Sequence, residues 1–250
     1  MGRSKIVVTG ASSGLGEEMA RRFAAMGRDV GLSARRVDRL EILRGELLAA
    51  NPGITVAVAA MDVTDHESVV EGMASLREDL GGIDRVVVNA GLGKGAKLGT
   101  GRAEANLETA RTNFVGVVSQ IEAALAIFRE QNSGHLVLVS SVSADRGLPG
   151  SKAVYAASKA GVSALGEALV AELRRTPIEV TTLLPGYIAT DMSSRAGGSG
   201  RLLSTLDDGV SAMITAIEKE VTRAALPGLT WKAIDVVLRF LPRRLTDRMV

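Results

Sequence analysis

The chain has 250 residues, a length that suits one large α/β domain or two small ones. Apolar residues make up 46%, enough for a substantial core, and a formal charge of +2 is too small to argue for a nucleic-acid partner. The absence of cysteine excludes a disulfide framework and a thiolate metal site and fits a reducing compartment.

Only a few polar residues precede the first apolar run, Ile6-Val7-Val8, and they form no secretory pattern. Met1-Gly2 opens like a myristoylation site, but Ile6 stands where Ser or Thr is needed. No apolar stretch is long enough to span a bilayer, so a soluble cytoplasmic protein is expected. Strands are predicted at Lys5–Thr9, Asp29–Ala34, Thr55–Met61, Arg85–Asn89, His135–Ser140 and Glu179–Leu184, with a short last one at Arg223–Leu226. They are largely continuous apolar runs, the mark of strands covered on both faces. Helix-length segments lie between and after them: Gly14–Met26, Arg36–Ala50, Asp65–Leu80, Ala105–Gln131, Ala153–Arg175 and Asp207–Val221. This rhythm predicts an α/β domain with a doubly wound parallel sheet of about seven strands and helices on both faces. Right-handed crossovers then place the strand C-termini, and any ligand, on one edge. Residues 187–206 include Gly197-Gly198-Ser199-Gly200 and read as a mobile loop. Residues 1–226 form one domain, and 227–250 an extension of it or an interface.

Thr9-Gly10-Ala11-Ser12-Ser13-Gly14-Leu15-Gly16 joins the first strand to the first helix. Gly10 can make the tight turn, Gly14 lets the backbone approach a pyrophosphate, and Gly16 permits close helix–strand packing. The free N–H groups of the helix start then face the anion. The second strand ends in Ala34-Arg35-Arg36. A carboxylate there would bind the ribose hydroxyls of NAD, whereas guanidinium groups match a 2′-phosphate. The reading is NADP(H) in preference to NAD(H), with Arg35 ahead of Arg36 as phosphate ligand. Farther on, Tyr155-Ala-Ala-Ser-Lys159 puts a phenol and an ammonium one helical turn apart on one face. A close positive charge favours the phenolate and lowers the pKa of the tyrosine.

Thr9–Gly16, Asn89-Ala90-Gly91, Asn113, Ser141, Tyr155 with Lys159, and Pro185-Gly186 occur in this order. Together they resemble the short-chain dehydrogenase/reductase family over roughly residues 4–226. The resemblance implies a single-domain Rossmann fold and hydride transfer between nicotinamide and a carbonyl or secondary alcohol. It implies that Tyr155 exchanges the proton, that Lys159 lowers its pKa and holds the nicotinamide ribose, and that Ser141 binds the substrate oxygen. Asn113 would hold a water that relays protons to Lys159. Ser12, Ser13 and Leu15 belong to the cofactor cradle. Asp62 would bind the adenine amino group with Val63 beside the ring, Asn89, Ala90 and Gly91 would shape the backbone around the cofactor, and Pro185, Gly186, Ile188 and Thr190 would hold its nicotinamide end. Ser141 lies one residue farther from Tyr155 than the serine of many relatives, which leaves Ser140 and Ser143 as alternatives.

The resemblance also implies a homodimer or homotetramer through the helices that carry Asn113 and Tyr155. The substrate stays open among 3-oxoacyl thioesters, steroid-like ketones and small aldehydes or ketones, with reduction the expected direction in cells. A catalytically silent NADP sensor on the same fold is the contrasting reading; the complete Asn/Ser/Tyr/Lys set argues against it. Neither His66 nor His135 has a metal ligand's setting, so no catalytic metal is expected. In the tail, Trp231, Ile234, Val237, Leu238, Leu241 and Leu245 recur at helical spacing among Lys232, Arg239, Arg243, Arg244 and Arg248. Pro242 interrupts that pattern. A helix packed on its own protein or a partner subunit, a cover over the substrate pocket and a peripheral membrane contact all fit it.

Overall fold

Strands β1 (Lys5–Thr9), β2 (Asp29–Ala34), β3 (Val56–Ala60), β4 (Arg85–Val88), β5 (Gly134–Val139), β6 (Ile178–Pro185) and β7 (Arg223–Leu226) form one sheet in the order β3-β2-β1-β4-β5-β6-β7. Every pairing is parallel. The computed structural model describes residues 2–190 and 203–240. The helices are α1 (Gly14–Ala25), α2 (Val37–Ala50), α3 (His66–Leu80), α4 (Ala103–Ala110), α5 (Gly116–Glu130), α6 (Ala153–Leu173), α7 (Leu206–Glu218) and α8 (Gly228–Phe240). The doubly wound sheet in one domain expected from the βαβ rhythm, and the Rossmann fold that the resemblance implies, are observed, with strand ends displaced by a residue or two.

The continuous apolar runs are explained by two cores, one on each face of the sheet. Successive strand residues point to opposite faces. Val7, Val86, Val88 and Leu136 therefore pack on one side with Met73 of α3, Phe128 of α5 and Val162 of α6. Val8, Val87, Val137 and Leu183 pack on the other with Phe23 of α1, Leu40 of α2 and Met213 of α7. Local chemistry sets the helix ends. Asp65 caps α3 by accepting the N–H of Glu67, and Gly81 ends it in the left-handed conformation. Thr205 caps α7 by accepting the N–H of Asp208 at 3.0 Å, and its hydroxyl donates to the Asp208 carboxylate at 2.6 Å. The sheet order reverses between β1 and β4, so the loops after these two strands border a crevice at the sheet's C-terminal edge.

The single helix expected over Ala105–Gln131 is interrupted. A π-turn, Arg111–Val115, separates α4 from α5, and Asn113 lies within it. Gly116, which follows, approaches Val63 so closely that a Cβ would lie 2.8 Å from the Val63 carbonyl oxygen. The segment 187–206 is not a loop throughout: Ile188 bridges Ser204 and α7 begins at Leu206. Residues 191–202 lie outside the described residues, as do Leu241, Pro242, Arg243, Arg244, Leu245 and Arg248 of the tail. Among the described residues, no helix is long and apolar enough to cross a membrane.

A buried polar network occupies the opposite, N-terminal edge of the sheet. Arg85 and His135 stand side by side on β4 and β5, both closed to solvent. Arg85 donates through Nε to His135 Nδ1 at 2.8 Å, through Nη1 to Glu218, and through Nη2 to the Ile217 carbonyl at 3.4 Å. His135 Nδ1 is thus an acceptor, so its Nε2 carries the proton and donates to Thr181 at 2.9 Å. Arg3 closes the network by bonding Glu220 at 2.9 Å. Burial first, then Arg85 and Arg3, push the imidazole pKa down to about 3.

Candidate active site

The glycine turn is shaped by backbone contact. Gly10 has φ +67, and a Cβ there would lie 2.9 Å from the Ala90 Cα. A Cβ on Gly16 would lie 2.5 Å from the Gly10 carbonyl oxygen and 2.6 Å from Asn89 Nδ2. The Thr9 hydroxyl donates to the Val87 carbonyl at 3.3 Å and accepts the N–H groups of Asn89 and Ala90 at 3.0 and 3.1 Å. Asn89 Nδ2 donates to the Thr9 carbonyl at 2.9 Å. The ends of β1 and β4 are stapled together by these bonds. Gly14, at φ +60, has Thr190 Cγ2 at 3.8 Å from its would-be Cβ, an ordinary contact, while Leu15 packs into the core beneath. This leaves a glycine-lined cradle at the start of α1 that fits a pyrophosphate.

At the end of β2 both arginines are exposed, and they point to different partners. Arg36 donates to the hydroxyls of Ser12 at 2.8 Å and Ser13 at 3.0 Å, on the glycine turn. Arg35 faces Asp62. One Asp62 oxygen accepts the N–H and hydroxyl of Thr64 at 3.0 and 2.7 Å. Burial alone would raise the Asp62 pKa, but these bonds and Arg35 together hold it below the usual carboxylate range. Val63 is buried beside Gly116.

The end of β5 sorts its serines by direction. Ser140 donates to the Lys159 carbonyl at 2.9 Å and pairs with the Ser163 hydroxyl at 2.8 Å, so it is turned into α6. The Ser141 oxygen accepts the Ser143 N–H at 3.1 Å and lies with the Tyr155 phenol, while Ser143 contributes that N–H. Lys159 is buried, donates to the Val139 carbonyl at 2.8 Å, and has its pKa lowered to about 8 by burial. A Cβ on Gly91 would lie 3.4 Å from Asn113 Oδ1 and 3.7 Å from Lys159 Nζ, so these three positions converge. The Asn113 amide clamps the backbone of Leu92, accepting its N–H at 2.7 Å and donating to its carbonyl at 2.8 Å. This contact makes Asn113 a brace for the loop after β4, a role that residue spacing does not reveal.

Tyr155 is half-buried, and its pKa is raised rather than lowered. Burial dominates, Ser141 acts in the opposite sense, and Tyr187 adds to the rise. The depression expected from Lys159 is therefore corrected: loss of water around the phenol sets the direction, and the opposing influence is the Ser141 hydroxyl.

Pro185 ends β6, and the Gly186 N–H donates to the Leu226 carbonyl at 2.7 Å. A Cβ on Gly186 would lie 2.2 Å from Trp231 Cε2, far inside van der Waals contact. Tyr187 meets Trp231 edge-on with centroids 5.7 Å apart, and the Lys152 ammonium lies 5.7 Å over the Tyr187 ring. Ile188 is buried against Gly209 of α7, and Thr190 stands next to Gly14. Leu92 has no assigned part in the site from sequence. Thr9 enters there only as the start of the glycine motif, and Tyr187 and Trp231 only through adjacency to Pro185-Gly186 and the apolar spacing of the tail. Among the described residues, no group of three or more His, Cys, Asp or Glu is placed to hold a metal ion.

Residues 4–198 match the family model for short chain dehydrogenase. The chain belongs to this family of oxidoreductases. An uncharacterized oxidoreductase of Mycobacterium tuberculosis is 53% identical over 246 residues, spanning 98% of this chain and 97% of the relative. An alcohol dehydrogenase from the archaeon Thermococcus sibiricus, solved with 5-hydroxy-NADP, is 29% identical with a TM-score of 0.76, over 87% of this chain and 92% of that one. A short chain dehydrogenase/reductase from Burkholderia phymatum, solved with NAD, shares the fold at 24% identity and a TM-score of 0.85, over 99% and 95% of the two chains.

Proposed function

We propose that the protein is an NADP(H)-dependent oxidoreductase that interconverts a carbonyl and a secondary alcohol, with Tyr155 as its general acid and base. The observation that carries this reading is the half-buried Tyr155 phenol beside the Ser141 hydroxyl, with the Lys159 ammonium buried nearby. Gly10, Ser12, Ser13, Gly14, Leu15 and Gly16 would hold the pyrophosphate, Arg35 and Arg36 the 2′-phosphate, Asp62 and Val63 the adenine. Asn89, Ala90, Gly91, Tyr155, Lys159, Pro185, Gly186, Ile188 and Thr190 would hold the nicotinamide half. When bound, the nicotinamide supplies or accepts the hydride.

A phenol whose pKa lies above its ordinary value keeps its proton at neutral pH. Tyr155 would donate that proton to a carbonyl oxygen as negative charge grows on it, because the developing alkoxide is more basic than the phenolate left behind. The Ser141 hydroxyl steadies the same oxygen. Asn113 holds Leu92 and so keeps the loop after β4 beside Lys159. Purified protein mixed with NADPH and a panel of carbonyls should consume nicotinamide absorbance at 340 nm, a wavelength set by the cofactor; tight binding without turnover on every member would refute the reading.

The cofactor preference has its own test. Arg35→Ala should weaken NADPH by about tenfold or more while sparing NADH, the loss of roughly one charge-assisted contact. Titration with both nucleotides reads this, and equal weakening removes Arg35 from the phosphate. Assembly through the helices that bear Asn113 and Tyr155 is supported by Val115 and Leu107, which are 57% and 47% exposed there. Val115→Asp should convert a dimer or tetramer to monomer in sedimentation; an unchanged mass would place the contact elsewhere.

A further inference from the structure

We propose that helix α8 is a working part of the active site, in which Trp231 and the Arg223 ion cluster position the Ser141 turn and Tyr187 against the carbonyl substrate. The proposal rests on the carbonyl reading above and adds a specificity-determining ring, Tyr187, and the device that holds it.

Two independent contacts tie α8 to the site. The first is ionic. Arg223 on β7 makes two bonds of 2.7 Å to Asp235 of α8, and a third of 2.9 Å to Asp145. Asp145 ends the single turn Val142–Asp145, whose cap is Ser141. The side chains of Asp145 and Asp235 are only 6% and 8% exposed. A paired guanidinium–carboxylate fork fixes direction as well as distance, and removing one partner strands a buried charge. The second contact is apolar. Trp231, 4% exposed, occupies the space left by the missing side chain of Gly186 and packs with Val142, Leu184 and Ala225. Val142 follows Ser141 directly, and Gly186 precedes Tyr187.

The two segments that flank the Tyr155 phenol therefore lean on one helix. Tyr187 is held at its edge by Trp231 and on its face by Lys152, three residues before Tyr155. Trp231 is itself enclosed, so it acts through Tyr187 and is a positioning residue. Tyr187 is half-buried and near enough to Tyr155 to act on its phenol, so in this proposal its ring is the one that a substrate would meet.

Asp235→Asn keeps the side-chain size and removes the charge. In the NADPH-bound protein it should raise amide exchange by about tenfold or more in residues 141–146 and 185–190, while residues 9–16 stay as in wild type, the signature of local rather than global opening. Trp231 is the only tryptophan, so its emission should shift to the red in the same variant. With a carbonyl substrate, KM for the carbonyl should rise about tenfold, a loss of roughly one such contact, with KM for NADPH unchanged. If Asp235→Asn does not fold, Trp231→Phe, which leaves a gap under Gly186, gives the same exchange and KM readouts. Unchanged exchange at both segments, or a rise that includes residues 9–16, overturns the proposal. A wild type that turns over no carbonyl would sink the reductase reading instead, and the exchange pattern would still decide the role of α8.

Discussion

Tyr155→Phe is expected to lower kcat/KM for carbonyl reduction by about 10²–10⁴, the usual worth of a positioned general acid. The ring keeps its packing and loses only the hydroxyl, so thermal stability should stay near wild type and NADPH affinity should fall by no more than about tenfold, the worth of one hydrogen bond. Burial and Tyr187 favour the protonated phenol, and on the proposed mechanism the lost proton is the one that the substrate oxygen would take. Ser141 remains in the variant, and its hydrogen bond to the oxygen leaves a residual rate. Steady-state kinetics with nucleotide titration check this. A variant that keeps the wild-type rate would remove Tyr155 from the chemistry, and one whose whole loss lies in NADPH affinity would mean that the phenol holds cofactor without moving a proton.

Acid should weaken the fold through His135. Its folded pKa of about 3 lies below the unfolded value of 6.5. Above pH 6.5 both states are neutral at this residue. As the pH falls below 6.5 the unfolded chain takes up a proton that the folded protein refuses, so stability declines on acidification. The full effect between pH 6.5 and about 3 amounts to about 5 kcal/mol, or roughly 1.4 kcal/mol per pH unit. Protonation would place a second cation against Arg85, whose Nε needs the imidazole nitrogen as acceptor. Acid acts on other groups of the chain as well, so the comparison must be with His135→Asn. That variant can still accept from Arg85 but loses the bond to Thr181, costing about 1–3 kcal/mol at neutral pH. Its stability should fall less steeply than wild type between pH 6.5 and 4 in denaturant titrations; parallel curves would show that His135 does not supply the difference.

The sheet was legible because strands covered on both faces must be apolar at successive positions, as Ile6, Val7 and Val8 are. The glycine turn was legible because Gly10 and Gly16 leave no room for a side chain. The network at Arg85 was not, since its partners His135 and Glu218 lie 50 and 133 residues away and no local pattern joins them. Arg35 and Arg36 are neighbours in sequence but diverge in space, and only tertiary contacts show that Arg36 reaches Ser12 and Ser13. The sign of the Tyr155 shift depends on how much water the fold removes, which the four-residue spacing to Lys159 does not encode. Likewise the apolar spacing around Trp231 announced a helix but not its seat under Gly186.

The π-turn at Arg111–Val115 sets a rule of counting for this part of the chain. An α-helix advances about 100° per residue, and a π-turn fits one more residue into nearly the same rotation. A single deletion that closes the π-turn would let α4 and α5 run on as one α-helix with their faces nearly kept, and would remove the wide turn that carries Asn113. Asn113 would swing off Leu92 while every apolar residue of α5 kept its composition. Substitution and deletion are thus unequal here: the segment tolerates changes of residue type far better than a change of length, because its number of residues, as much as their chemistry, aims the amide at the loop after β4.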